Sequence, residues 1–443
     1  MAQTELRIDI KSIRSVKKAK IALDGISVIT GVNGSGKSTI SKLVYHIIKT
    51  SIEYDYIVRE EIDNELRMIT KTLDQLTRDL SYLYPKDEYP KLRNTFRKIT
   101  SRDVNQLDLF ENNSLIVGID FLIRLFREVP NYNHRVPIDV RVDRIKRIIG
   151  RTLKDDISEK QEDVVELLYE LRDSVKRTLK KAENIIEYRP IGILKEKLSE
   201  AFEDNPVPNR YNIYEYGTPI IDRDTNQVLP LHSIENVAYI DTPMILGIDT
   251  FSSIDRKHWD DLNEVISNDK SISNNSKGKL DINEIIKGEI SKSEEEISDK
   301  KFIYKRSDGQ EFDLLECATG LKSFAILQIL FKNDFLRKGS LLIIDEPEVH
   351  LHPQWIVEYA RLIILLHKHV GVNFLIASHN PDMISAIKYI SEKETNSQKL
   401  NFYLAEQNND FLYNYRCLGT EIDEIFESFN IALERIDMYG KMD

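Results

Sequence analysis

The stretch Gly31–Thr39, GVNGSGKST, constrains the fold more than any other part of this 443-residue chain. It fits G-x-x-x-x-G-K-[ST], a loop whose backbone N–H groups cradle phosphates between a strand and a helix. Both neighbours are present. GISVIT at 25–30 is a strand-like apolar run, and ISKLVYHIIK after Thr39 carries apolar residues at helical spacing. Glycines let the backbone turn its N–H groups inward, and the helix adds the positive end of its dipole. The candidate nucleotide-binding residues are Gly31, Asn33, Gly34, Ser35, Gly36, Lys37, Ser38 and Thr39. Lys37 is placed to reach the β- and γ-phosphates, and the Ser38 hydroxyl to ligate Mg²⁺.

A second element follows far downstream. In LLIIDEPE, four apolar residues, Leu341 to Ile344, run into Asp345 and Glu346. A continuous apolar run is how a buried parallel strand reads, and ligand-facing residues sit at the carboxyl ends of such strands. Asp345 is therefore a Mg²⁺ candidate. Glu346 can orient and deprotonate an attacking water, which makes it the candidate catalytic base. The third element is IASHNPD, where His379 follows another apolar strand and can sense a γ-phosphate. Lys37, Glu346 and His379 form the expected catalytic set.

Lys37 and Asp345 stand 308 positions apart, yet both must touch one Mg-nucleotide. The chain must leave the nucleotide-binding fold and return to it. The expected organisation is an N-terminal lobe at 1–50, a helical insertion at 51–205, a return segment at 206–300 and a C-terminal lobe at 301–443. Within the insertion, Ile157, Val164, Leu167, Leu168, Leu171, Val175 and Leu179 trace an apolar stripe fit for a hairpin or bundle, with a dimerisation or partner-binding arm as the functional alternative. In the return segment, 211–233 reads as a hairpin, and the polar run ISNDKSISNNSKGK at 266–279 reads as a mobile loop.

Composition excludes several classes. No apolar run approaches the roughly 18 residues that span a bilayer, so no membrane partner is expected. Charges interrupt the apolar start MAQTELRIDI, unlike a signal peptide. Cys317 and Cys417 form no CxxC pair, which fits a reducing cytoplasm. The net charge of −11 argues against a uniformly basic nucleic-acid coat but allows a local patch.

Together, GVNGSGKST, LLIIDEPEVHLHP and IASHNPD resemble the ABC-type ATPases of the SMC and RecF-like group. They are similar in particular to the small prokaryotic relatives of OLD-type and Septu-type anti-phage systems, the PtuA-like ATPases among them. The resemblance covers roughly 1–50 and 235–390, and its most group-specific piece is EPEVHLHP, Glu346 to Pro353. It implies an α/β fold, an ABC-type P-loop ATPase head split into two lobes by a coiled-coil-like helical insertion. It also implies ATP and Mg²⁺ as cofactors, and a homo-oligomer, at least a head-to-head dimer. In such a dimer a signature motif is supplied in trans. The matching stretch here is CATGLKS, with Thr319, Gly320 and Lys322 as the candidates. Ala318 stands where the pattern has a serine, which puts efficient hydrolysis in doubt.

OLD-type relatives carry a nuclease after the ATPase. Here the residues after His379 show no acid cluster for two metals, and the nine histidines fall into no HNH-like or zinc-ligand spacing. The expectation is a separate effector chain, an HNH-type nuclease, as in Septu-type systems. Candidate DNA contacts are Arg144, Arg147, Arg151 and Lys154, at helical spacing with Ile145, Ile148 and Ile149 facing elsewhere. An ordinary solvated helix face explains the same pattern. These residues motivate an alternative reading, a DNA-repair or recombination ATPase acting on DNA ends. Ala318 motivates another, a slowly hydrolysing nucleotide-gated scaffold.

Overall fold

The computed structural model describes residues 5–79, 89–100, 114–127, 143–149, 164–203, 210–243, 257–267, 282, 285, 288–292, 302–395, 399–427 and 437–439. The chain divides into two units, Met1–Ile52 with Pro190–Asp443, and Glu53–Arg189.

The first unit grows from apolar strands that bury both faces. It opens with β1 (Leu6–Ile13), β2 (Val16–Ala22) and β3 (Ile26–Thr30), the last leading into α1 (Lys37–Ile52). After the second unit come α6 (Ile191–Ala201), β4 (Tyr211–Glu215), β5 (Thr218–Pro219), β6 (Ile221–Asp222), β7 (Gln227–Val228), β8 (Asn236–Ile240) and α7 (Lys257–Ser267). Then follow β9 (Gly288–Lys292), β10 (Phe302–Arg306), β11 (Glu311–Asp313), α8 (Thr319–Lys332), β12 (Ser340–Asp345), α9 (Pro353–Val370), β13 (Asn373–Ala377), α10 (Pro381–Thr395), β14 (Leu400–Gln407) and β15 (Tyr413–Gly419).

One ten-stranded sheet runs in the order β5-β4-β1-β2-β15-β14-β3-β13-β12-β8. From β14 through β3, β13 and β12 to β8 every pairing is parallel. β3, β12 and β13 are buried along nearly their whole length, as two-sided coverage demands. On one face Phe324 of α8 packs edge-on to Trp355 and Tyr359 of α9, with centroids 5.1 and 5.0 Å apart. Phe324→Ala should cost about 3–5 kcal/mol and lower the melting temperature of this unit while leaving the nucleotide site's residues unchanged.

The second unit is helical. In it, α2 (Tyr54–Asp79), α3 (Tyr89–Thr100), α4 (Ser114–Arg127), a short helix at 143–149 and α5 (Val164–Tyr188) share a core of their own. Val164, Leu167, Leu168, Leu171 and Val175 of the apolar stripe are buried in it, and Leu179 packs at its edge. Ile157 lies outside the described residues. An α/β fold interrupted by a helical insertion is thus what the chain adopts.

Two local expectations are corrected, and one feature had no expectation behind it. The chain rejoins the first unit at Pro190, not after 205. Arg189 takes a left-handed φ of 46° and Pro190 cannot continue the helix, while Ile191, Leu194 and Leu198 of α6 are buried on the α1 side. The polar return segment is not simply loop. α7 reaches Ser267, and β9 pairs antiparallel with β10, burying Ile290. Composition hid this strand because GEISK has one apolar side chain, and its backbone carries the pairing. Residues 268–281, most of the expected loop, lie outside the described residues. Lastly, the hairpin β14–β15 inserts between β2 and β3, in the middle of the sheet. No motif marked it.

Candidate nucleotide site

The three motifs meet because their strands are adjacent. β13 pairs in parallel with β3 on one side and β12 on the other, and the ladder sets Ile29, Ala377 and Asp345 in one row. The three carboxyl ends therefore share one edge of the sheet. There the chain turns into the glycine loop after β3, the Asp345–Glu346 pair at β12 and the Ser378–His379 turn after β13.

Close packing requires glycine at two loop positions. At Gly36, φ is 100° and a Cβ would come within 2.5 Å of Val16 Cγ2. At Gly31, φ is 154° and a Cβ would lie 2.6 Å from Ala405 Cβ on β14. The loop is thus seated on β2 and on the late hairpin. Tyr415 of β15 adds a brace, with its hydroxyl 3.3 Å from the Ser35 carbonyl, to which it donates. Ser35 is fully buried, its hydroxyl 3.4 Å from that of Tyr415, whereas Asn33, Gly34 and Ser38 are exposed and Thr39 half-buried.

Lys37 begins α1 and is buried, its Nζ donating to Gly31 O at 2.9 Å. Burial pulls its pKa down, and the carboxylates of Glu346, Asp345 and Glu348 push it up. Asp345 is gripped at both oxygens. Ser41 Oγ donates to Oδ1 at 2.5 Å and Tyr239 OH to Oδ2 at 2.8 Å. Burial raises its pKa, opposed by hydrogen bonds from Ser41, Ser38 and Tyr239. The donor set suits Mg²⁺, a hard cation that takes one or two carboxylates plus substrate phosphates. Asp345 and the adjoining Ser38 hydroxyl are hard oxygens, and a cation beside a buried carboxyl favours its charged form.

Glu346 has a left-handed φ of 47°, costly for a residue with a Cβ. Its backbone N donates to Ala377 O at 2.7 Å, which adds one rung beyond the ladder. Its side chain is more than a third exposed, and Oε1 lies 3.2 Å from His379 Nδ1. Glu348 is almost fully buried. Its Oε1 accepts from Ser378 Oγ at 2.8 Å and from the His379 backbone N at 3.2 Å. Burial pushes its pKa up against those hydrogen bonds.

The signature candidates sit at the start of α8. Ala318 is the N-cap and makes no side-chain cap. Gly320 faces the segment after Glu348, where a Cβ would come within 3.0 Å of His350 O. Lys322 is the third of the signature candidates. It is buried, and its Nζ donates to Leu315 O at 2.7 Å, bracing its own loop. Arg144 and Arg147 are exposed above buried Ile145 and Ile149, while Arg151 and Lys154 lie outside the described residues.

Ser41, Tyr239, Glu348 and Tyr415 escaped the motif reading. Ser41 carries a signal, one helical turn from Lys37 on the same face. Glu348 stands inside EPEVHLHP, but nothing in the sequence shows it turned inward. Tyr239 and Tyr415 depend on strand neighbours distant in sequence.

Comparison with known proteins places these motifs in context. A family model described as AAA ATPase domain (AAA_15) matches residues 6–384. Solved structures similar to the chain include an Smc head domain with an extended coiled coil from Pyrococcus furiosus, bound to the C-terminal domain of ScpA. It is 12% identical, covers 97% of this chain and 98% of that one, and has a TM-score of 0.34. An Smc head with a coiled coil and joint from Pyrococcus yayanosii is 12% identical over 96% and 99% of the chains, TM-score 0.36. An SMC head domain from Thermotoga maritima is 16% identical over 46% and 64%, TM-score 0.27. No curated protein matches the sequence. Among the described residues, no helix is long and apolar enough to cross a membrane.

Proposed function

Because the chain belongs to the family of AAA ATPase domains, we propose that it binds and hydrolyses ATP at the shared edge of β3, β13 and β12. We further propose that ATP assembles it into a head-to-head dimer, which regulates a separate HNH-type effector nuclease in anti-phage defence. The observation that carries the ATPase reading is the single row of Ile29, Ala377 and Asp345, which gathers three motifs drawn from opposite ends of the chain.

In this reading the loop N–H groups and Lys37 hold the phosphates, and Asp345 and Ser38 hold Mg²⁺. Bound there, Mg²⁺ neutralises charge on the phosphate oxygens. Glu346 accepts the proton of a water whose oxygen attacks the γ-phosphorus. The bond to the bridging oxygen breaks, and ADP leaves with that oxygen. His379 holds Glu346 and faces the γ-phosphate. The dimer is supported by exposed apolar side chains on the motif segments themselves. Val32 in the phosphate loop is 56% exposed, Leu315 before the signature 46% and Val349 after Glu348 37%. Apolar side chains exposed on functional segments suit a partner surface. The defence role is supported by the resemblance of EPEVHLHP to the Septu-type ATPases. Its test is gentle purification from the native host with ATP present. A co-purifying nuclease is the expected result, and replication or repair proteins in its place overturn it.

The exposed Arg144 and Arg147 favour a second reading, an ATPase acting directly on DNA ends. In that case DNA stimulates ATP turnover several-fold, and Arg147→Glu with Arg151→Glu removes the stimulation while basal turnover stays. Turnover indifferent to DNA sinks it. In a third reading Ala318, which gives α8 no side-chain cap, leaves a scaffold that binds ATP and scarcely turns it over. Rapid steady-state turnover excludes it.

A further inference from the structure

His379 faces two carboxylates from one short segment, and only one of them is free to move. Glu346 is partly exposed, with Oε1 3.2 Å from Nδ1, while Glu348 Oε1 lies 3.7 Å from the same nitrogen, its side chain 5% exposed. Glu348 is fixed by the Ser378 hydroxyl and the His379 backbone N, and Ser378 Oγ in turn accepts from Asn380 N at 3.1 Å. Its second oxygen, Oε2, is buried without a hydrogen-bond partner among the described residues. A buried carboxylate oxygen left unpaired is costly, and it leaves Glu348 with acceptor capacity to spare beside the imidazole.

We propose that Glu348 is a positioning residue that holds the His379 ring when Glu346 turns to the attacking water. This rests on the reading of Glu346 as base. A base must swing toward its water, and a ring tied only to that base would be dragged with it. Glu348 prevents this in two ways. It anchors the turn that carries His379, and it offers Nδ1–H a second acceptor. The present 3.7 Å is just beyond hydrogen-bond reach, and an approach of about 0.5 Å closes it. The ring then keeps its place at the γ-phosphate while Glu346 works.

The test is a double-mutant cycle in the full chain, with kcat and ATP affinity measured separately. Glu348→Gln should lower kcat by about tenfold with ATP affinity within about twofold of wild type. In a His379→Ala background it should have almost no further effect. Should Glu348→Gln fold poorly, Ser378→Ala loosens the same carboxylate by one donor and should show a smaller kcat loss, again absent without His379. Unchanged kcat, or losses that add to those of His379→Ala, overturn the proposal. Glu346→Gln is run alongside. If it hydrolyses ATP like wild type, the base assignment fails. If it is inactive while Glu348 and His379 act independently, only the positioning role fails.

Discussion

Lys37→Ala is expected to abolish measurable ATP binding. The ammonium stands at the first position of α1 and donates to Gly31 O at 2.9 Å, on a loop that is also seated against Val16 and Ala405. Its removal should leave the loop in place and strip it of its charged donor. Each charge-assisted hydrogen bond lost contributes about 1.5–3 kcal/mol, and two phosphates are served. Affinity should therefore fall by roughly 10²–10⁴-fold. The loss also leaves Asp345, Glu346 and Glu348, whose carboxylates all bear on Lys37, facing the phosphates without this cation. Fluorescent-nucleotide titration checks the prediction, together with the thermal shift that a ligand confers on the state it binds. A variant that still gains the wild-type shift with ATP would show that the phosphates sit elsewhere.

Glu346→Gln should do the opposite to binding and as much harm to turnover. The amide keeps the size of the side chain and an acceptor for His379 Nδ1, now 3.2 Å from the carboxylate. The strained φ of 47° is a property of the backbone and carries over. What disappears is the ability to take a proton, a contribution of roughly 10²–10⁴ in rate. ATP then stays bound and uncleaved, and the closed dimer accumulates. Light scattering on a sizing column should report doubled mass in ATP and monomer in ADP. Wild-type turnover by this variant would remove Glu346 from the mechanism. Full loss of turnover without any dimer would leave the ATPase reading intact and sink the assembly.

Residues 31–39, 341–346 and 373–379 were legible because each packs a whole local rule into a few positions. A glycine loop between strand and helix admits few conformations, and a run of Leu and Ile ending in acid admits few places in a sheet. The site's supports were not legible. The chain tells nothing of Tyr239 reaching Asp345, or of Tyr415 reaching Ser35, because those contacts follow from strand order, and strand order is settled by long-range pairing. The helical stripe from Val164 to Val175 could be read since 3.6-residue periodicity is local, whereas its end at Arg189 depended on what α6 would pack against.

The sequence by itself determined the chemical groups, the strand–loop–helix around Lys37 and the need for two distant segments to meet. Only the tertiary structure decided how they meet. It put β13 between β3 and β12, drove β14 and β15 beneath the phosphate loop, turned Lys322 inward to Leu315, and buried Glu348 beside the His379 turn. The physical reason is one of range. Periodicity and turn chemistry act over a few residues. The burial of a carboxylate, or the neighbour of a strand, is a balance struck by the whole core at once.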